Sequence, residues 1–275
     1  MNDLPQHAAG VLASPLERPL SQAPAAAPEG TRGTPAMLPL AGYPIIASSL
    51  PSARSLVRER LESAQKTVLL FANTNFVMQC RSMLPWLKSK EVLLLNDGVG
   101  LDIAALLKHG QRYPANLNGT DFVPAFLRSL TPARKVFLFG GKPGIARKAA
   151  MTIERQTGQQ VVGFIDGYNQ ITPTAFCSQI NDSGAEIILV ALGNPMQESW
   201  IQMNMHTLNA PLIIGVGALF DFLSGETQRA PGWVQSIRCE WIFRLMQEPR
   251  RLLRRYTLDI PAFLYLCLRK QKPLA

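Results

Sequence analysis

Six short apolar runs, each closed by glycine or polar residues and mostly separated by helix-length segments, constrain the fold more than any other feature. They occupy residues 67–72, 91–96, 136–140, 160–165, 186–192 and 211–216. Continuous apolar runs of this length are strands buried on both faces. Parallel strands must be joined by crossovers, which are usually helices. The pattern therefore predicts an α/β fold, a mainly parallel sheet with helices on both faces. Helices are expected over residues 57–64 and 145–157. Residues 1–40 depart from this: they are rich in Ala, Pro, Ser and Gly, show no periodicity, and are predicted to be a disordered tail.

In parallel sheets, ligands bind outside the carboxyl ends of the strands. The residues just after each apolar run are thus the candidates for chemistry. They are Asn73-Thr74-Asn75, Asp97-Gly98-Val99-Gly100, Gly140-Gly141-Lys142-Pro143-Gly144, Asp166-Gly167-Tyr168, Gly193-Asn194-Pro195-Met196-Gln197-Glu198, and Gly217 with Asp221. The turn starting at Gly140 and Gly141 leads from a strand into a helix. That arrangement is either a natural anion site, with close backbone approach and free helix N–H groups, or simply a tight strand–helix turn. Asp97 is flanked by a strand and glycines, so it is either an exposed carboxylate able to take a proton from a hydroxyl or a helix N-cap. Asp166 and Asp221 carry the same two readings. Gln197 and Glu198 fall in the first turn of a helix opened by Pro195. There Glu198 complements the helix dipole, and Gln197 offers a donor and acceptors suited to a base or sugar.

The four cysteines and three histidines are scattered, with no CxxC. Neither a metal site nor a disulfide framework is signalled, and no cofactor is expected. No basic segment followed by an apolar one marks a signal peptide, and the late apolar stretch 260–268 is too short to span a bilayer. These points favour the cytoplasm.

Taken in order, the segments Asp97-Gly98-Val99-Gly100, Asn118-Gly119-Thr120-Asp121, Phe139-Gly140-Gly141, 193–198, 215–222, Arg229-Ala230-Pro231 and 240–251 resemble the WecG/TagA/CpsF glycosyltransferase family over about residues 45–260. The resemblance implies a Rossmann-like fold and a catalytic domain over 41–235. It also implies an inverting, metal-independent transfer from a UDP-sugar to a polyprenyl-diphosphate-linked saccharide in cell-surface polysaccharide synthesis. On it, Asp97 matches the catalytic base, Gln197 an active-site residue, and Asn73 the asparagine of a Thr-x-Asn segment. Glu198, Asp221, Gly140 and Gly141 join the substrate-binding set. The family threonine falls on Phe71, which bears on sugar specificity. The Asn-Gly-Thr-Asp segment is closer to exopolysaccharide glucosyltransferases of the xanthan type than to N-acetylmannosamine transferases. Self-association of the chain is left open.

The chain carries a net charge of +9, and residues 238–275 hold nine basic residues against three acids. A basic end calls for a polyanionic partner. Residues 236–247 have apolar positions at helical spacing, and Leu252, Leu253 and Tyr256 extend the stripe past Pro249. Arg244, Arg251 and Arg254 match family arginines that complete the site around a diphosphate; the planar guanidinium fork suits phosphate oxygens. The other arginines, with Trp241, Phe263, Leu264 and Tyr265, suit a helix lying on an anionic membrane surface. Residues 236–275 are accordingly expected to form an appendage docked peripherally on the inner face of the plasma membrane. Two rival classes fare worse. A dehydrogenase would need GxGxxG and a ribose-binding acid in the expected place, and a nucleic-acid reader would need a recognised motif.

Overall fold

The computed structural model describes residues 35–167, 173–227, 246 and 259–269, the side chains of 173–175 excepted. Every predicted run forms a strand: β2 (Thr67–Ala72), β3 (Val92–Asn96), β4 (Lys135–Gly140), β5 (Gln160–Ile165), β6 (Ile187–Ala191) and β7 (Leu212–Gly215). A two-residue edge strand, β1 (Ile45–Ile46), completes a sheet of order β1-β3-β2-β7-β6-β4-β5, in which every pairing is parallel. The fold is Rossmann-like α/β, as expected. Successive strand residues face opposite sides, so Val68 and Leu70 enter one core while Leu69 and Phe71 enter the other.

Helices sort between these two cores. The first core receives α2 (Thr74–Gln79), α4 (Val99–His109), α7 (Pro173–Asp182), α8 (Met196–Asn204) and α10 (Ile260–Leu268). A four-residue helix, α3 (Leu84–Leu87), adds Leu87 to the same core. The second core receives α1 (Leu50–Glu62), α5 (Gly119–Arg128), α6 (Ile145–Thr157) and α9 (Leu219–Leu223). The chain thus leaves β7 toward one face, whereas it leaves both neighbours, β2 and β6, toward the other. A crevice opens where such paths diverge, which places one at the carboxyl end of β7; β4, whose neighbours β6 and β5 also lead to the other face, marks a second.

Three expectations change. The first helix begins at Leu50 rather than Val57, because Ser49 caps it and Pro51 sits in its first turn. Residues 35–40 belong to the folded body rather than the tail: Leu38 and Leu40 are buried, and the Tyr113 hydroxyl donates to the Leu38 carbonyl at 2.7 Å. Finally, Phe263 is wholly buried, as is Cys267, because α10 packs against α4 and α2. Phe263 is therefore a core residue rather than part of a membrane surface. Tyr265 stays 69 % exposed.

Candidate active site

Asp97 follows β3 directly, and its backbone N–H donates to the Ala72 carbonyl at the end of β2 at 2.7 Å. The cap position of α4 is Gly98, so Asp97 stands one residue before the cap rather than at it. Its turn is clamped from outside: Gly98 N–H donates to Asn116 Oδ1 at 2.8 Å, and Leu117 N–H to the Asn96 carbonyl at 3.0 Å. Asn73 caps α2 by accepting from Phe76 N–H at 3.0 Å, and its Nδ2 donates to Asp97 Oδ2 at 3.3 Å. Gly100 makes this meeting feasible. A Cβ there would lie 2.5 Å from Thr74 Cγ2, so with any other residue the Thr74 methyl would have to give way where the first turns of α2 and α4 approach.

Gln197 and Glu198 open α8 but point inward; they are 3 % and 0 % exposed. Gln197 Oε1 accepts from Gly217 N–H at 2.9 Å, and its Nε2 donates to Glu198 Oε1 at 2.9 Å. Asn194 Nδ2 donates to the same oxygen at 2.7 Å, and the Cys80 thiol approaches Oε2 at 3.7 Å. Burial pushes the Glu198 carboxyl above its ordinary range, against the hydrogen bonds from Asn194 and Gln197. Gln197 thus ties the β6–α8 loop to the β7–α9 loop, the two loops that border the crevice. Asp221 stands in the first turn of α9.

At the fourth strand, Gly140 has φ +122°, and a Cβ would overlap the Ala191 carbonyl; Gly141 N–H donates to that same carbonyl at 2.8 Å. The N-terminus of α6 already meets an anion. Asp166, at the end of β5, accepts from Gly144 N–H through Oδ2 at 3.0 Å. Its Oδ1 is buried with no hydrogen-bond partner among the described residues. The sequence reading that no acid follows this turn in the place of a ribose-binding carboxylate is corrected here. The β4–turn–α6–β5 unit brings Asp166 to the turn, and the carboxylate fills part of the expected anion position. The segment 118–121 has a structural explanation as well: Asn118 caps α5 by accepting from Asp121 N–H at 2.9 Å and donates back to Asp121 Oδ2 at 2.8 Å. Phe71, 9 % exposed, stacks at a tilt on Phe122 with 5.8 Å between ring centroids, and lies where a Cβ on Gly119 would press.

From Asp97 through Asn73, Gly217 and Gln197 to Gly140, the candidates form a row along the carboxyl edge of β3-β2-β7-β6-β4. Four strand spacings amount to about 19 Å. One side-chain contact cannot cross that distance, whereas an extended, multi-part substrate can. Sequence reasoning missed Asn116 and Cys80, which hold the turn after Asp97 and the Glu198 carboxyl and carry no motif of their own; Asn194 stood in the 193–198 segment, but without its role of donating to Glu198. Arg244, Arg251 and Arg254 lie outside the described residues. Among the described residues, no group of three His, Cys, Asp or Glu side chains is placed to hold a metal ion.

Residues 38–274 match the Glycosyl transferase WecG/TagA/CpsF family. The chain belongs to this family. It is accordingly a glycosyltransferase of cell-surface polysaccharide synthesis, a class that works on a sugar donor and a lipid-linked acceptor. The match extends past the described residues into the basic C-terminal segment. None of the chain's described helices is long and apolar enough to cross a membrane.

Proposed function

We propose that the protein transfers a sugar, with inversion, from a UDP-sugar to a polyprenyl-diphosphate-linked saccharide, with Asp97 as the base. The observation that carries this reading is the Asn73–Asp97 pair, 3.3 Å from Nδ2 to Oδ2, at the open end of β2 and β3. Asn73 holds one oxygen of the carboxylate that takes the proton of an acceptor hydroxyl. The hydroxyl oxygen attacks the anomeric carbon as its proton passes to Asp97. The bond from that carbon to the diphosphate oxygen breaks, and its electron pair leaves with UDP. Inversion follows from attack opposite the leaving group. Arg244, Arg251 and Arg254 neutralise the departing diphosphate, the role for which guanidinium groups are suited. Gln197 holds the two loops at the crevice, where Asp221 and the 140–144 turn meet the donor.

The donor is proposed to be UDP-glucose, in exopolysaccharide assembly. With Phe71 filling the space beside Gly119, UDP-N-acetylmannosamine becomes the second candidate. The site faces the inner leaflet of the plasma membrane, held there peripherally by the basic segment 236–275. Transfer to a short-chain polyprenyl-diphosphate sugar should be assayed with each UDP-sugar separately and with EDTA present. Product from one donor is expected. Activity abolished by EDTA and restored by a divalent cation would overturn the metal-independent mechanism. Asp97→Asn should lower kcat by about 10²–10⁴-fold, the range of a lost general base, with an unchanged melting temperature. Near-wild-type turnover in that variant would remove Asp97 from the mechanism.

A further inference from the structure

One open cleft on the molecule is apolar where a sugar-nucleotide site would be polar. It occupies about 550 Å³ between the end of α2 and the outer side of α8, within the range typical of ligand pockets. Met83, Leu192, Pro195, Met196, Trp200 and Met203 supply its apolar lining. Gln79, Ser82 and Ser199 are its polar contributors, and among the described residues no charged side chain lines it. Met196 and Met203 are 59 % and 71 % exposed, an unusual placement for large hydrophobic groups on one short helix. The Trp200 ring is held at 4.6 Å from Phe139, which keeps an apolar wall fixed while the thioethers around it can adapt.

We infer that this cleft takes the isoprenoid chain of the lipid-linked acceptor. The inference rests on the transferase reading above, and continuity with that site is its main support. One wall grows out of α2, whose cap Asn73 donates to Asp97; the other grows out of α8, whose first turn carries Gln197. Six residues of α2 span about 9 Å, so the cleft begins about that far from the base. The intervening distance accommodates the acceptor's head, while a chain without charge or hydrogen-bonding groups continues into an uncharged lining. A nucleotide or a second sugar would leave its polar groups unmatched there. Methionines suit a flexible, branched hydrocarbon because they repack around different conformers.

The test uses the full-length protein and a benzophenone-bearing farnesyl diphosphate, with the cross-linked peptides mapped by mass spectrometry. Labelling is expected in the peptides that hold Met83 and residues 196–203, and it should be competed by farnesyl diphosphate but not by inorganic diphosphate. Met196→Ser combined with Met203→Ser, both at exposed positions, should retain the melting temperature and cut this labelling at least about five-fold. In transfer assays the same double variant should raise KM for a farnesyl-linked acceptor at least about ten-fold more than for a dimethylallyl-linked one, since the longer chain has more carbon to bury. Labelling confined to other parts of the chain, or a double variant with unaltered labelling and chain-length preference, would overturn the assignment. So would a photo-cross-linking residue at position 203 that joins residues 228–258 and is not displaced by farnesyl diphosphate, because the cleft would then house the protein's own segment. Labelling needs no turnover. Cleft labelling without transfer from any UDP-sugar would retain the lipid site and reject the transferase mechanism. Transfer without cleft labelling would do the reverse.

Discussion

Glu198 is the residue whose surroundings say most about how the crevice is held. Its carboxyl is fully buried, yet both oxygens face donors: Asn194 and Gln197 on one, the Cys80 thiol on the other. Burial dominates and raises its pKa above the ordinary 4.5. Below pH 4.5 the group is protonated in folded and unfolded chains alike. As pH climbs past 4.5 the unfolded chain releases its proton first, so stability falls with pH until the folded carboxyl ionises too, and then levels off. Glu198→Gln removes this titration. It also keeps the geometry, because the amide oxygen can accept from Asn194 and Gln197 while the amide nitrogen faces the thiol. The melting temperature of the wild type minus that of the variant should therefore decline between pH 4.5 and 7, by thermal denaturation at both ends. A difference that stays flat or grows would show that burial does not govern this carboxyl. Gln197, for its part, has both ends of its amide engaged within the protein. Its sequence position in the first turn of a helix spoke for a ligand-facing amide, and helix position alone does not say which way a side chain turns.

At the scale of elements, the active-site row depends on where strands end and how their helices start. Asn73 does two jobs at one such start, and two substitutions separate them. Asn73→Ala loses the cap of α2, which costs about 1 kcal/mol and lowers the melting temperature by about 2–4 °C. Asn73→Asp keeps an acceptor for Phe76 N–H but sets a second carboxylate against Asp97. Its melting temperature should stay within about 2 °C of wild type while kcat falls at least about ten-fold, and a fully active variant would exclude the orienting role. Gly140→Ala probes the turn after β4: positive φ and overlap with the Ala191 carbonyl should cost about 3 kcal/mol or more, measured by urea denaturation. Six strands and the row of residues after them were legible because buried parallel strands announce themselves as unbroken apolar runs. β1 was not, since two residues at a sheet edge make no run. The start of α1 was not legible, because its Ser49 cap and Pro51 lie ahead of the residues 57–64 from which the helix was expected. Asn116 and Cys80 were illegible for a different reason. They act across 18 and 118 residues of chain, on Gly98 and Glu198, and no local pattern reports a contact of that kind.

At the scale of the whole molecule, the C-terminal segment divides into parts with different physical tasks. An apolar stripe reads the same whether it faces a core or a membrane, and for α10 the answer is the core. Phe263→Ala should cost about 3–5 kcal/mol, and Tyr265→Ala, at an exposed position, about 0.5 kcal/mol or less. A chain cut at residue 236 would therefore lose stability by stripping α10 from α4 and α2, and any loss of membrane binding or activity would follow from that as readily as from a lost membrane contact. The proposed membrane role needs a variant that leaves α10 in place. Arg250→Gln with Arg255→Gln meets this condition and spares Arg251 and Arg254, which are proposed to meet the diphosphate. Each basic residue near an anionic surface contributes about 1 kcal/mol, so the pair should weaken binding to vesicles containing phosphatidylglycerol by about thirty-fold at low salt. The effect should shrink as salt rises, because the Debye length falls to about 8 Å at physiological ionic strength. Co-sedimentation across a salt series, with the melting temperature as a control for folding, reads both. If binding is undiminished and insensitive to salt, the basic segment is not what brings this glycosyltransferase to its lipid-linked acceptor, and the uncharged cleft beside α8 becomes the remaining contact to examine.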